Sequence, residues 1–211
     1  QVRAKVLDAQ WLGVPQARQR LIFVGIRDDV GKQPEFPKPL LYRYTLGDVL
    51  AGVRSVVHDT RGQPQFSVGE LINRPSCTIT VSGVNQFFIT DAERAETDIQ
   101  RFAVGKRWAK LKQGERDPEW PKIYRPRVNE PSTTIMASDG SPSISSICHP
   151  VEPRKFTIAE LRRICSFPED FQLTGSYAQQ WERMGRAVPP LMMRAVAVEV
   201  AKTLEAKPCA D

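Results

Sequence analysis

A proline turn that runs directly into an apolar strand constrains this chain more than any other feature. Residues 13–20 read GVPQARQR, and residues 21–26, LIFVGI, follow at once. Such an apolar run, rich in β-branched side chains, predicts a buried strand of an α/β core. The two-residue period of a strand places Arg18 and Arg20 on one face, with Gln16 at the strand edge. Paired guanidinium groups suit phosphate or a base carbonyl, although an exposed strand end with ordinary ion pairs fits the same pattern.

The composition describes a globular chain with a basic excess. Its 211 residues are 41% hydrophobic, which is enough to bury a core, and the net charge of +6 suits a polyanion partner. Every apolar run is too short to cross a bilayer, and the first five residues lack the apolar segment of a signal peptide. We therefore expect no membrane contact and a cytoplasmic location, next to the nucleoid if the source is prokaryotic.

The cysteines indicate neither a metal site nor a disulfide framework. The chain has four cysteines, which lie far apart and form no CxxC pair, and it has only two histidines. We expect four free thiols in a reducing compartment. Cys165 is expected in the core, on the apolar face of a helix. The pair Pro208-Cys209 is expected in a frayed tail. Nothing near Cys77 or Cys148 predicts an activated thiol except His149 beside Cys148, and neighbours in sequence rarely form a catalytic pair in space.

Three segments with different patterns predict the organisation of the chain. Residues 1–70 contain the strands, a proline-rich connector and a short helix capped by Thr45, and we assign them to the core of the main sheet. Residues 71–152 are irregular and predict a small mixed subdomain. Residues 153–206 are regular again, with helices that return to the core, and residues 207–211 form the tail.

The helix signals of the last segment are specific. Thr157 and Glu160 form a capping box for a helix from about residue 158 to residue 165. Pro189-Pro190 begins a second helix that runs to about Leu204, since proline is favoured in a first helical turn.

The middle segment carries a basic run inside a predicted helix. Residues 91–113 have helical composition, with Asp91 as a possible cap and an interruption at Gly105. Four basic residues there could grip phosphates with a salt-sensitive affinity or form a solvated helix face: Lys106, Arg107, Lys110 and Lys112. Three aromatic residues could stack on bases, although core packing suits each of them better: Trp108, Trp120 and Tyr124.

Three segments resemble, in order, the eighth, ninth and tenth motifs of the DNA 5-methylcytosine methyltransferases. The first is GVPQARQR with its strand. The second, residues 154–171, contains RKFT, a capped helix and the turn FPEDF, and the third is MGRAVPPL at residues 184–191. One such match would be weak, whereas three in family order are specific. With the variable region between them, they account for residues 1–205.

The resemblance implies an α/β fold: a partial Rossmann-like core that depends on S-adenosylmethionine, joined to a small mixed target-recognition subdomain. Members of the family flip a cytosine out of double-stranded DNA and methylate its carbon 5. By this resemblance Arg20 would contact the flipped cytosine, while Arg18 and Gln16 would support its pocket and hold phosphate. The family's Thr-aliphatic pair near the base corresponds to Thr78 or to Thr134, of which we favour Thr134.

The resemblance also assigns contacts to the ninth and tenth motifs. Arg154 is the basic residue that opens the ninth motif and a candidate DNA contact. Arg186, Ala187 and Val188 would line the cofactor site near the methionine end of S-adenosylmethionine. Arg186 stands where the family usually has asparagine, which puts a polar cofactor contact at that position in doubt.

The family's glycine-rich cofactor loop, its Pro-Cys nucleophile segment and its Glu-Asn-Val segment have no counterpart in this sequence. We therefore expect the C-terminal, DNA-recognition portion of a DNA cytosine-5 methyltransferase. It should be inactive alone and completed by an N-terminal half, in the same polypeptide or in a separate subunit. Two alternatives stay open: a non-catalytic DNA-binding or regulatory module, and a relative with the same motifs that methylates RNA.

Overall fold

The computed structural model describes residues 1–50 and 89–205. The elements in chain order are β1 (Val2–Asp8), β2 (Gln19–Gly25), α1 (Leu46–Val49), α2 (Asp91–Thr97), α3 (Ala103–Trp108), β3 (Glu115–Arg116), β4 (Tyr124–Arg125), α4 (Ile158–Ile164), α5 (Tyr177–Arg186) and α6 (Pro190–Glu205). Strand β1 pairs with β2 and β3 pairs with β4, both antiparallel. These two sheets and the helices make the described residues mixed α/β, as predicted. Within the described ranges, no helix has the length and apolar character needed to cross a membrane. The predictions for Cys77, Thr78, Cys209 and a boundary near residue 70 fall outside these ranges.

Strands β1 and β2 form a hairpin that packs against the last helix. The chain turns between them through Gly13, whose φ of 86° suits glycine because it has no Cβ. One face of the hairpin packs on α6 in a single buried cluster: Leu7, Ala9, Leu12, Val14, Val24, Leu191, Met192 and Val196. Residues at the two ends of the chain therefore share one core.

The other face of the hairpin is apolar and exposed. The register places Val6 opposite Leu21 and Ala4 opposite Phe23, so these side chains share that face with Val2. Leu21 is 54% exposed and Phe23 is 66% exposed. The prediction of a buried strand is therefore wrong for this face, because the described residues cover the two-stranded sheet on one side only. We call Val2, Ala4, Val6, Leu21 and Phe23 the open face.

The largest buried cluster joins α1, α4 and α5. The predicted capping box of α4 is confirmed: Glu160 accepts from the backbone N of Thr157 at 2.8 Å, and Thr157 Oγ1 accepts from the backbone N of Glu160 at 3.2 Å. Helix α1 begins after Thr45, whose backbone N donates to Asp48 at 2.7 Å. Cys165 is buried in this cluster, as predicted, together with twelve other residues: Tyr44, Leu46, Val49, Leu50, Ile135, Ile147, Phe156, Leu161, Ile164, Tyr177, Trp181 and Met184.

The middle segment has a small core of its own, formed by Ile99, Val104, Trp108, Leu111, Ile123 and Cys148. Thr90 rather than Asp91 caps α2, because the Thr90 hydroxyl accepts from the backbone N of Glu93. The predicted interruption at Gly105 is wrong, since this glycine lies inside α3. A Cβ there would come within 2.3 Å of the carbonyl oxygen of Ile99, so glycine lets α3 pack directly on the preceding turn.

Candidate functional site

Arg18 links three parts of the chain that are distant in sequence. It is 2% exposed; Nη1 donates to the carbonyl oxygen of Ile135 at 3.3 Å, and Nη2 donates to that of Gly185 at 2.9 Å. Burial, followed by the positive charge of Arg20, lowers the Arg18 pKa, yet a guanidinium keeps its proton in proteins. The phosphate contact of Arg18 stays a prediction; in this structure Nη1 and Nη2 donate to carbonyl oxygens instead. Arg18 thus ties the backbone at Ile135 and Gly185 to residues 13–20.

The backbone of residues 13–20, which we call the arginine turn, pairs with the segment that contains Thr134. Ala17 N donates to Ser132 O at 2.7 Å, and Ser132 N donates to Pro15 O at 2.9 Å, so the two segments run in parallel. The Thr134 hydroxyl donates to the carbonyl oxygen of Ala17 at 2.7 Å. The fold therefore brings Thr134 to the arginine turn.

Gln16, within the arginine turn, is completely buried. Its Nε2 donates to Cys165 Sγ at 3.3 Å, while Oε1 has no hydrogen-bond partner in the described part of the chain. Burial raises the pKa of the Cys165 thiol to about 11, so the sulfur is uncharged at neutral pH. The phosphate contact of Gln16 stays a prediction; in this structure the side chain is closed off from solvent.

Arg20 differs from Arg18 because its donors are available. It lies in β2 opposite Leu7 and is half-buried. Its Nη1 donates to the carbonyl oxygen of Gln19 at 2.6 Å, and no carboxylate among the described residues pairs with it. A guanidinium has five N–H donors, so Arg20 keeps donors free for a carbonyl or anionic ligand at the start of β2.

Residues 135–137 are held against α5 by close backbone contacts. Trp181 Nε1 donates to the carbonyl oxygen of Met136 at 2.9 Å. A Cβ on Gly185 would lie 2.5 Å from Ala137 N, so only glycine permits this approach. Neither contact was predicted from the sequence; the signal it offered is that Gly185 is the glycine of the tenth-motif resemblance.

The tenth-motif residues lie between α5 and α6. The Arg186 side chain is 74% exposed, and its Nη2 contacts Glu182 Oε1 at 2.6 Å. Ala187 N ends α5 by donating to the carbonyl oxygen of Arg183 at 3.1 Å, and Val188 is exposed. Arg186 is thus paired along its own helix, whereas Ala187 and Val188 offer backbone and apolar surface. Their cofactor contacts stay predictions.

Arg154 belongs to a buried ion-pair cluster. It is 3% exposed and donates to both carboxylate oxygens of Glu160, at 2.7 and 2.8 Å. Burial alone would raise the Glu160 pKa, but the hydrogen bonds from Arg154, together with His149 Nε2 at 3.5 Å from Oε1, outweigh burial and lower the pKa to about 2. In this structure Glu160 holds the Arg154 guanidinium in the interior, at the start of α4, and the DNA contact of Arg154 stays a prediction.

Three side chains of the basic run, Lys106, Arg107 and Lys110, differ in their partners. Arg107 donates to Asp117 at 2.9 Å and to Glu119 at 2.5 Å. Lys106 and Lys110 are exposed one helical turn apart, and the described residues supply neither with a hydrogen-bond or ion-pair partner. Both line a cleft of about 590 Å³. Lys106 and Lys110 therefore stay candidates for phosphate contacts, whereas Arg107 braces the loop that carries its two acidic partners.

The chain is similar to known DNA methyltransferases along almost its whole length. The family model described as C-5 cytosine-specific DNA methylase matches residues 1–202. The Type II methyltransferase M1.HphI of Haemophilus parahaemolyticus is 28% identical over 208 residues, which are 95% of this chain and 48% of that protein. The Type II methyltransferase M.NgoFVII of Neisseria gonorrhoeae is 28% identical over 213 residues, which are 96% of this chain and 49% of that protein.

A solved structure shares the fold of this chain. It is a crystal structure described as a DNA modification methyltransferase encoded within an E. coli prophage, with a TM-score of 0.66 and 16% sequence identity. The match covers 98% of this chain and 61% of that chain, and at this identity it concerns the fold alone. The chain spans about half the length of the curated relatives it matches.

Proposed function

This chain belongs to the family of C-5 cytosine-specific DNA methylases, and on that premise we propose that it supplies the cytosine pocket and the DNA-recognition surface of a DNA cytosine-5 methyltransferase. One observation carries the proposal. Arg18 and Arg20 stand two residues apart, yet two buried carbonyl oxygens occupy Arg18 while Arg20 keeps donors free. The backbone that carries Arg20 is thus anchored two residues away, which is the rigid support that a binding residue needs.

Arg20 suits the charge that develops on a cytosine ring during methylation. The base must first leave the duplex, because its carbon 5 cannot be reached inside the stack. Attack of a cysteine thiolate on ring carbon 6 then makes carbon 5 nucleophilic and places negative charge on the ring. A preorganised guanidinium that donates to the base carbonyl oxygen stabilises this charge more than it stabilises the neutral base. We assign this role to Arg20 and place the flipped nucleotide beside Thr134.

Double-stranded DNA is the proposed partner of the middle segment. Lys106 and Lys110 are exposed and available beside the cleft, so they can neutralise phosphates and release counterions. Arg107 is excluded from this role because its two carboxylate partners would have to be displaced. The middle segment thereby grips the DNA backbone while the arginine turn holds the base.

S-adenosylmethionine serves the C-5 methyltransferases as a family, and it supplies the methyl group when bound. The exposed Val188 and the half-buried Ala187 before it fit an apolar edge of its site. Arg186 does not fit a direct polar contact while Glu182 holds it. We therefore propose that Ala187 and Val188 line the cofactor site, whose polar contacts come from residues outside this chain.

The nucleophilic cysteine is also proposed to come from outside this chain. Cys148 and Cys165 are buried, and burial raises the pKa of both thiols, which disfavours the reactive thiolate. The open face supplies an apolar surface on which a further α/β portion can pack. That portion belongs either to the same polypeptide or to a separate subunit.

Expression of the full-length protein in a host without cytosine methylation tests this function. Mass spectrometry of digested nucleic acids should find 5-methylcytosine in DNA and not in transfer RNA, and bisulfite sequencing then identifies the target site. This chain expressed alone should leave the DNA unmethylated. Methylation confined to RNA, or none with the full-length protein, would refute the proposal.

A further inference from the structure

Three arginines at the β3–β4 hairpin lie over aromatic rings. The guanidinium carbon is 4.4 Å from the ring centre of Trp120 for Arg107, 4.4 Å from that of Tyr124 for Arg116, and 4.1 Å from that of Trp108 for Arg125. The face of an aromatic ring attracts a cation, so each pair restricts the positions of its guanidinium. The three arginines differ in their other contacts.

Arg107 and Arg125 are used within the chain. Arg107 donates to two carboxylates. Arg125 donates to the carbonyl oxygens of Leu111 and Pro150, both at 2.8 Å. The guanidinium groups of these two arginines therefore stabilise the fold of the middle segment.

Arg116 is held in a similar way, but it is exposed and keeps donors available. The register of the hairpin places Arg116 opposite Tyr124, and its Nη1 donates to the carbonyl oxygen of Pro121 at 3.1 Å. No carboxylate among the described residues pairs with it. A guanidinium has five N–H donors, so Arg116 can offer Nε and Nη2 to a ligand while the ring and the carbonyl oxygen hold it in place.

Arg116 lines the same cleft as Lys106 and Lys110. The acidic residues of this cleft already accept hydrogen bonds from the chain itself, either from Arg107 or from the backbone N of Lys112. The groups that the cleft leaves available to a ligand are therefore two ammonium groups on flexible stems and one planar guanidinium on a fixed support.

Ammonium and guanidinium groups have different uses at DNA. An ammonium neutralises a phosphate at any sequence, whereas a guanidinium donates two hydrogen bonds at once to O6 and N7 of guanine in the major groove, where each base pair presents its own pattern. We propose that Arg116 reads one guanine of the target site while Lys106 and Lys110 hold nearby phosphates. The inference rests on the proposed function and adds to it a residue that determines sequence specificity.

The sequences that the full-length enzyme methylates test this assignment. Bisulfite sequencing of host DNA should show a wild-type site with a G·C pair besides the target pair, and Arg116→Ala should accept other base pairs at that one position. On synthetic duplexes, discrimination is the ratio of kcat/KM for this site to kcat/KM for the same site with that pair changed to A·T. The ratio should fall about tenfold or more in Arg116→Ala. It should fall similarly in Arg116→Lys, which keeps the charge but not the planar pair of donors.

A modified base separates readout of the guanine from other roles of Arg116. Replacement of the guanine by 7-deazaguanine removes the N7 acceptor. This change should lower kcat/KM about fivefold or more for wild type and less than about twofold for Arg116→Ala.

Two further variants serve as controls. Arg101 also lies over an aromatic ring, with its guanidinium carbon 4.9 Å from the ring centre of Phe102, but it does not line the cleft. Arg101→Ala should therefore discriminate as wild type does. Lys106→Gln should lower kcat/KM by the same factor on every duplex, because a phosphate contact does not depend on the base.

Three results would overturn the readout by Arg116: a wild-type site with no further G·C pair, wild-type discrimination in Arg116→Ala, and a loss in Arg116→Ala that is equal on every duplex. The last result is the one expected if Arg116 only supports the fold or contacts phosphate. Each of them leaves the proposed function standing, since the wild-type enzyme methylates DNA in all three. A full-length wild-type enzyme that methylates no DNA would contradict the proposed function and the readout together.

Discussion

The arginine turn and the open face invert the usual distribution of polar and apolar groups. At the turn, Gln16 and Arg18 are buried and bonded to segments far along the chain. On the open face, Leu21 and Phe23 are apolar and exposed. Hydrogen bonds to distant segments hold the turn as a rigid support, whereas the described residues leave the open face without a cover. A polar motif can therefore serve structure while an apolar strand stays exposed.

Removal of the Arg18 guanidinium should have the largest effect. Arg18→Ala leaves the carbonyl oxygens of Ile135 and Gly185 buried without donors, and we expect the free energy of unfolding to fall by roughly 4 kcal/mol. Arg18→Lys should recover less than half of this, because an ammonium lacks the planar fork that reaches both oxygens. Urea unfolding measures both variants.

An exposed arginine provides the control for Arg18. Arg27 is 82% exposed on its side chain and pairs with Asp29, so Arg27→Ala should change the unfolding free energy by less than about 0.5 kcal/mol. If Arg18→Ala proved as mild as this control, the arginine turn would not be the support described above.

The buried Glu160 gives a somewhat smaller effect that depends on pH. Its pKa is about 2 in the folded protein against an ordinary value of 4.5. Because the folded pKa is the lower one, the stabilisation is complete above the unfolded pKa and is lost as the pH falls through the folded pKa. Wild type should lose roughly 3 kcal/mol more than Glu160→Gln between about pH 5 and pH 2. Parallel pH profiles for the two proteins in urea unfolding would contradict this assignment.

The basic run should affect binding rather than folding. Replacing Lys106 and Lys110 together by Gln removes two proposed phosphate contacts, so the slope of log affinity against log salt should become shallower by about 1.8. Arg107→Ala should change the slope by less than about half a unit, because its guanidinium is already paired with Asp117 and Glu119. Fluorescence anisotropy with a random duplex of about 20 base pairs measures the slopes, and equal slopes for all three proteins would rule out the lysine contacts.

The smallest change in unfolding free energy is expected for a substitution on the open face, when this chain is measured by itself. Phe23→Ser should change its unfolding free energy by less than about 0.5 kcal/mol, because Phe23 is 66% exposed. In the full-length protein the same substitution should cost roughly 2 kcal/mol, since we propose that the face is covered there. Leu41→Ser, at a position that is 94% exposed, should be mild in both proteins. If Phe23→Ser were equally mild in both, the open face would be ordinary surface and the contrast with the arginine turn would disappear.

Signals that act over a few residues were readable from the sequence, and contacts across the chain were not. The capping box of Thr157 and Glu160 and the start of α6 at Pro190 were predicted because each signal lies in the first turn of its helix. The role of Arg18 was hidden because its acceptors lie 117 and 167 residues away. The exposure of Leu21 could not be predicted for a related reason. An apolar strand indicates that burial of its side chains is favourable, but not which residues would bury them.

The division of roles between Arg18 and Arg20 is tested most directly by the single-turnover rate of methyl transfer in the full-length enzyme carrying Arg20→Ala. We predict a rate roughly 10²–10³-fold below wild type, because a fixed donor to the developing charge is lost. The unfolding free energy and the affinity for random duplex DNA should stay unchanged, and Arg27→Ala should react at the wild-type rate. An Arg20→Ala rate within about twofold of wild type would contradict the claim that Arg18 holds the site while Arg20 acts on the base.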